Sequence, residues 1–127
     1  MRMEFVHTGL AVSSEENADR FYRDVLGLAK SEPKTVDKKT MQASFGIDHE
    51  LSVIHYRGET VDYEIFVCPG YKAPNGQIAH SSLKVTDLAD IVHKCRDADM
   101  NVIEVPKGSV VLTFVSDYDG NLFELKQ

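Results

Sequence analysis

Short stretches of alternating hydrophobic and polar residues recur along the chain, with amphipathic segments between them. The alternation over Met3–Val12 predicts a first strand. Ser13 and Glu16 then have the spacing of a capping box, and a hydrophobic stripe of helical period covers Ala18–Val25. Gly27 follows, where a helix commonly ends. The pattern therefore predicts a strand and then an amphipathic helix capped by Ser13.

The remainder of the first half predicts an edge strand, a short helix and a hairpin. Leu28–Val36 is polar and contains Pro33, which favours an edge position because proline donates no ladder hydrogen bond. Lys38–Gly46 is predicted as a short helix that ends at its glycine. Two alternating runs, Leu51–Tyr56 and Val61–Val67, are joined by a turn and predict a hairpin.

The second half repeats this plan as a strand, a helix and three further strands. The predicted elements are the strand Ile78–Val85, a helix that begins at Thr86 and Asp87, and the strands Asn101–Val105, Val110–Val115 and Asn121–Lys126. The breaker-rich residues 69–76 separate the halves, and residues 117–121 predict a tight turn before the last strand. We therefore predict an α+β fold in a single domain, residues 1–127, built from paired βαβββ modules at 3–68 and 77–127.

One motif opens both modules, and one carboxylate closes each. Residues 7–12 and 80–85 both have His, then Leu three positions on, then Val five positions on. A glutamate sits in an apolar run near each module's end. Since the apolar neighbours of these residues need the helix-covered face of the sheet, strand alternation turns all four to the other face. A lone His or Glu on a strand is usually a surface residue, but the repeated placement favours a divalent-metal site with open positions, formed by His7, Glu64, His80 and Glu124.

Composition excludes several classes of partner. The net charge is -6 and no Lys or Arg run stands out, which argues against nucleic acid. No apolar run approaches the roughly 20 residues that span a bilayer, so we expect no membrane association. Cys68 and Cys95 form no metal or redox motif, and we interpret them as reduced core thiols of a cytoplasmic protein. Of the other histidines, His55 is a candidate pocket residue and His93 is predicted to be solvated.

These motifs resemble the vicinal oxygen chelate superfamily, which includes glyoxalase I, methylmalonyl-CoA epimerase, extradiol dioxygenases and the fosfomycin and bleomycin resistance proteins. The resemblance rests on the two histidine motifs and on the segments 21–28, 45–47, 63–66 and 117–125. It implies paired modules whose curved mixed sheets surround a cleft. It also implies a homodimer, because sites in this superfamily are often completed across a subunit interface.

The resemblance further implies a chemistry. The set His7, Glu64, His80 and Glu124 is similar to the metal ligands of bacterial glyoxalase I, which uses nickel, cobalt or zinc; manganese and iron are the alternatives. Such a metal binds adjacent oxygens of a small-molecule substrate and stabilises an enediolate, so that a carboxylate suffices as base. By resemblance, Glu124 would leave the metal and act as the catalytic base, with Glu64 as a second proton carrier.

Two departures and three alternatives accompany the resemblance. Glyoxalase I holds glutathione partly through an Arg and an Asn at positions that are here Ala11 and Cys68, which weakens the case for glutathione. The first histidine motif resembles the epimerase branch equally well. An iron dioxygenase would use His7, His80 and Glu124, although a fourth ligand would then crowd the site. A metal-free drug-binding protein, similar to bleomycin-binding proteins, is the non-catalytic alternative.

Overall fold

The computed structural model describes all residues, Met1–Gln127, and divides the chain into two compact units. The first unit comprises Met1–Tyr71 and the second comprises Lys72–Gln127. Each unit has its own sheet with both parallel and antiparallel pairs. The α+β class and the mixed sheets predicted from the sequence are confirmed. None of the helices has the length and hydrophobicity needed to cross a bilayer.

The sheet of the first unit places its first and last strands side by side. The elements of this unit are β1 (Thr8–Val12), α1 (Glu15–Ala18), a π-helical segment (Asp19–Val25), β2 (Ala29–Lys30), β3 (Lys34–Val36), α2 (Lys38–Phe45), β4 (Leu51–Arg57) and β5 (Asp62–Val67). The strand order is β1-β5-β4-β2, and β3 also pairs with β4. β1 and β5 are parallel, whereas β4 and β5 form the antiparallel hairpin predicted from the sequence.

The core of the first unit lies on the helix-covered face of this sheet. Phe21 and Tyr22 of the π-helical segment are fully buried, and the ring centroids of Tyr22 and Tyr56 are 5.5 Å apart. Ile54 of β4 and Ile65 of β5 are buried with them. Burying such side chains contributes roughly 1.5–3 kcal/mol each, which gives this face of the sheet its stability.

The second unit follows the βαβββ plan directly. Its elements are β6 (His80–Lys84), α3 (Leu88–Asp97), β7 (Val102–Lys107), β8 (Val110–Ser116) and β9 (Leu122–Lys126). The strand order is β6-β9-β8-β7, with β6 and β9 parallel. Before β9, the Asp117 carboxylate accepts from the backbone N–H groups of Asp119 and Asn121 at 2.9 Å each. This is the turn chemistry predicted for residues 117–121.

Several sequence expectations are corrected. The helix begins one residue later than expected, because Ser14 rather than Ser13 is the N-cap and accepts from the Asn17 N–H at 3.1 Å. Its continuation is π-helical, since the Leu26 N–H donates to the Phe21 carbonyl at 2.9 Å. β1 is shorter than expected, and Val6 is exposed rather than buried because the segment before Thr8 pairs with no strand. The expected strand over 28–36 is split into β2 and β3, and Cys68, expected in the core, is only partly buried.

Candidate metal centre

In the first unit the structure brings His7 and Glu64 together. His7 lies just before β1, and Gly9 of β1 pairs in parallel register with Glu64 of β5. The Nε2 atom of His7 is 3.4 Å from Oε1 of Glu64. The core residues Tyr63 and Ile65 flank Glu64 on the helix-covered face, so strand alternation turns the carboxylate to the opposite face, as the sequence predicted.

A second histidine, His55, also contacts Glu64. His55 of β4 is the register partner of Glu64, and its Nε2 atom lies 3.4 Å from Oε2 of that carboxylate. Its Nδ1 atom is 2.7 Å from Oδ1 of Asp62. The sequence marked His55 only as a candidate pocket residue. The hairpin turn was the signal that could have found this contact, since it fixes which residue of β4 faces Glu64.

The environment of Asp62 favours its ionised form. Burial acts to raise the pKa of Asp62, but hydrogen bonds from His55 and Arg57 outweigh burial and leave the pKa below its ordinary value. The Nε atom of Arg57 donates to Oδ2 at 3.1 Å. Asp62 is therefore a carboxylate that holds the His55 ring by Nδ1 and turns Nε2 toward Glu64.

In the second unit the structure brings His80 and Glu124 together. The Nε2 atom of His80 is 3.9 Å from Oε1 of Glu124, and Lys126 Nζ is 3.8 Å from Oε2. The Nδ1 atom of His80 lies 2.7 Å from the carbonyl oxygen of Ile78. Because that carbonyl can only accept, Nδ1 carries the proton, and in the neutral ring Nε2 presents its lone pair near Glu124.

The two pairs occupy equivalent positions in their sheets. In each unit the histidine lies two residues before the residue that pairs with the glutamate, Gly9 in β1 and Ser82 in β6. In each unit a ring on the far neighbour of the glutamate's strand, β4 or β8, packs against that histidine with centroids 6.0 Å apart. That ring is His55 in the first unit and Phe114 in the second, and each is the register partner of the glutamate. The sequence repeat is thus a repeat of site geometry, and His55 distinguishes the first unit.

The spacing within the two His–Glu pairs suits the ligands of a divalent transition metal. Nitrogen and oxygen ligands lie about 2.1 Å from such an ion, so two neighbouring ligands are roughly 3.0–3.4 Å apart. The 3.4 Å between His7 and Glu64 meets this range, and the 3.9 Å between His80 and Glu124 exceeds it slightly. The carbonyl on His80 Nδ1 is a typical partner for a metal-binding imidazole. No group of three His, Cys, Asp or Glu side chains, including His7, His55 and Glu64, is arranged as a ready-made metal site.

A cleft of about 540 Å³ adjoins the His7–Glu64 pair within the first unit. Apart from these two residues, its walls are mostly apolar and small side chains, and no Lys or Arg lines it. The lining comes from the sheet, from α2 and from residues that directly follow α2 and β5. These lining residues are Gly9, Leu10, Ala11, Met41, Phe45, Ile47, Leu51, Phe66, Cys68 and Tyr71. The resemblance implied a cleft but not this lining, which depends on α2 packing on the sheet through Phe45 and Phe66.

Comparison with known proteins identifies one family. The model of the Glyoxalase/Bleomycin resistance protein/Dioxygenase superfamily matches residues 4–125. A search of curated proteins gives no match.

Solved structures with the same fold cover almost the whole chain. A glyoxalase family protein from Enterococcus faecalis has 17% identity and a TM-score of 0.71, covering 98% of this chain and 97% of its own. The trypanothione-dependent glyoxalase I of Leishmania major has 20% identity and a TM-score of 0.69, covering 99% and 87%. A mutant of the fosfomycin resistance protein FosX from Listeria monocytogenes, complexed with Mn(II) and 1S,2S-dihydroxypropylphosphonic acid, has 13% identity and a TM-score of 0.73, covering 99% and 93%. At these identities the likeness shows the fold.

Proposed function

This chain belongs to the glyoxalase/bleomycin resistance protein/dioxygenase superfamily, and on that premise we propose that it is a divalent-metal-dependent lyase or isomerase of the glyoxalase I type. Its substrate is a small molecule with two adjacent oxygen atoms. The proposed metal ligands are His7, Glu64, His80 and Glu124. The observation that carries the proposal is the equivalent His–Glu pair in each unit.

The metal, when bound, supplies positive charge that stabilises an oxyanion on the substrate and so acidifies the adjacent C–H. Nickel, cobalt or zinc suits imidazole and carboxylate donors best, and manganese and iron are the alternatives. The Mn(II) and the vicinal diol in the FosX complex support a substrate that offers adjacent oxygens.

The chain's own residues divide the remaining work. Glu124 is the proposed base, and its carboxylate, only 16% exposed, receives the proton where water competes little. Lys126 Nζ lies 3.8 Å from Oε2, the other oxygen of this carboxylate. Glu64 is the proposed second proton carrier. His55, held by Asp62, orients the Glu64 carboxylate from the adjacent strand.

Calorimetric metal titration tests the ligand set. We expect the metal-free wild type to take up one divalent ion per chain. Glu64→Gln and Glu124→Gln should each bind it at least tenfold more weakly, because the amide removes a charged ligand. Glu59→Gln, an exposed glutamate outside both pairs, is the matched control and should bind as wild type does. If nickel, cobalt, zinc, manganese and iron all fail to bind the wild type, the metalloenzyme proposal is wrong and the drug-binding alternative replaces it.

The homodimer is part of the proposal and has its own test. Glu64→Gln and Glu124→Gln chains are mixed, unfolded, refolded together and titrated. If ligands come from two copies, half of the dimers formed at random are mixed and each mixed dimer regains one intact site, so about a quarter of all sites should recover wild-type metal affinity. If all four ligands come from one chain, the mixture binds no better than either variant.

Proton transfer is then assayed directly. Hemithioacetals of several thiols and acyl-CoA epimers are incubated in D₂O, and NMR follows deuterium entering at the acidic carbon. We expect exchange with the metal-loaded wild type and none with Glu124→Gln. Exchange of an acyl-CoA epimer alone would identify the epimerase alternative.

A further inference from the structure

We propose that the cleft beside His7 and Glu64 receives a neutral, apolar arm of the substrate, of the size of an aromatic ring. The inference deepens the proposed function, on which it rests for one point: the oxygen-bearing end of the substrate lies at the His7–Glu64 end. The volume of about 540 Å³ falls within the range of small-molecule sites, so the cleft accommodates a ring with a short side chain.

The walls of the cleft suit a flat apolar group. Phe45 of α2 and Phe66 of β5 meet edge to face, with ring centroids 5.3 Å apart. Met41, one turn before Phe45, is buried at the base of α2, and a thioether adapts its shape to an adjacent ring. Aromatic groups favour edge-to-face neighbours, so a third ring extends the arrangement that Phe45 and Phe66 begin.

The charges of the cleft disfavour an anionic arm. Glu64 contributes a carboxylate, and no lining residue is a Lys or Arg that could pair with a carboxylate or phosphonate on the ligand. A buried anion without a partner is costly. Ala11 and Cys68, the two positions that depart from the glutathione-holding pattern of glyoxalase I, both line this cleft. Both positions that differ from glyoxalase I therefore lie in the uncharged lining of the same cleft.

Gly9, which has no side chain, keeps the cleft open at the end next to His7 and Glu64. A Cβ added there would lie 3.8 Å from Cε2 of Phe66 and 3.9 Å from Oε1 of Glu64, which is ordinary van der Waals contact. A small substituent at this position therefore occupies space between the aromatic wall and the carboxylate without a clash. That space is where the apolar arm and the oxygen-bearing end of one substrate would join.

The first experiment uses metal-free protein, so that it does not depend on the proposed metal. Cys68 is free and partly exposed in the cleft, whereas Cys95 is buried in the second unit. Iodoacetamide alkylation of each thiol is followed by mass spectrometry, with benzyl alcohol or with benzenesulfonate. We expect saturating benzyl alcohol to slow Cys68 at least threefold, and benzenesulfonate, which carries a charge on the same ring, to leave Cys68 unchanged. Cys95 should respond to neither.

The second experiment uses metal-loaded protein and ligands that share one chelating end. Mandelate, lactate and malate all carry a 2-hydroxycarboxylate, but their arms are a phenyl, a methyl and a carboxymethyl group. Calorimetry should rank mandelate at least tenfold tighter than lactate, as burial of a ring predicts, and malate weakest. Ala11→Arg should tighten malate at least fivefold relative to Ala11→Met, a neutral control of similar length. Circular dichroism confirms that both variants fold.

The outcomes separate the two proposals. Protection of Cys68 by benzyl alcohol supports the cleft inference even if no metal binds, and a failure of metal uptake then counts against the proposed function alone. The inference is overturned if benzyl alcohol gives no protection, or if malate binds the loaded protein as tightly as mandelate. Cys68 alkylation that slows as the protein is concentrated, with no ligand effect, would show that a second copy covers the cleft and would also overturn it.

Discussion

The hydrogen bond between Tyr56 and Asp19 gives a quantitative prediction, because one partner is buried and the other charged. The hydroxyl of the fully buried Tyr56 donates to Oδ1 of Asp19 at 2.7 Å. Burial, and then this hydrogen bond, raises the pKa of Tyr56 and keeps the hydroxyl protonated as a donor. Lys30 Nζ lies 3.0 Å from Asp19, so the carboxylate keeps a cationic partner without Tyr56.

This asymmetry sets the expected free energies of unfolding. Tyr56→Phe removes a donor and leaves Asp19 paired, at a cost of about 1–1.5 kcal/mol. Asp19→Ala leaves the buried Tyr56 hydroxyl without its acceptor and should lower the free energy of unfolding by about 3 kcal/mol. Adding Tyr56→Phe to Asp19→Ala should then cost nothing further, which gives a coupling of at least 1 kcal/mol.

Urea denaturation followed by circular dichroism measures the four stabilities. For a chain of 127 residues, the 3 kcal/mol loss corresponds to about 11 °C in melting temperature. Tyr118→Phe is the control for Tyr56→Phe, because the Tyr118 hydroxyl bonds a carbonyl in the second unit and should add independently to Asp19→Ala. If Asp19→Ala and Tyr56→Phe simply add, within about 0.5 kcal/mol, the reasoning is refuted.

Three further predictions concern a thiol, a turn and a cap. Burial raises the pKa of Cys95 to about 11, so at pH 8 native protein should react with Ellman's reagent at Cys68 first; equal rates would contradict the burial. Gly120→Ala should cost about 1–2 kcal/mol by thermal unfolding, because φ is +88° and its Cβ would meet a neighbour at 3.2 Å; an unchanged melting temperature would contradict this. Hydrogen bonds from the backbone and then the side chain of Thr40 lower the pKa of Asp37. The contribution of this cap to the free energy of unfolding is therefore complete above pH ~4 and is lost as the pH falls through the lowered native pKa. Asp37→Asn should flatten the loss of stability on acidification, and a pH profile identical to that of wild type would refute the role of the cap.

The sequence predicted the order of the elements and the glycine helix ends well, although the N-cap of the first helix is Ser14 rather than Ser13. Gly27 and Gly46 end helical segments at φ of 72° and 70°, as a glycine after a helix does. The hairpin and the turn at residues 117–121 also form as predicted. These features depend on residues close in sequence, which is why pattern alone sufficed.

Three features of the structure differ from the sequence prediction, each for a physical reason. A π-helical segment buries nearly the same residues as an α-helix, so the stripe at Phe21 and Tyr22 did not distinguish them. Phe5 and Val6 continue the alternation of β1 but are exposed, because alternation does not by itself supply a partner strand. The predicted facing of Glu64 and Glu124 agrees with the burial of their neighbours, whereas the cleft required α2 to pack on the sheet, a long-range contact that no local pattern encodes.

The parallel pairing of β1 with β5, and of β6 with β9, determines when His7 can meet Glu64 and His80 can meet Glu124 during synthesis of the chain. A ribosome releases His7 long before Glu64, and His80 long before Glu124, so an incomplete unit carries an imidazole without its carboxylate. Parallel pairing of the first and last strands joins residues far apart in sequence, so closing the intervening chain carries a large entropy cost. Each His–Glu pair therefore forms only when both the first and the last strand of its unit are in place, and a nascent chain presents the histidine without its carboxylate.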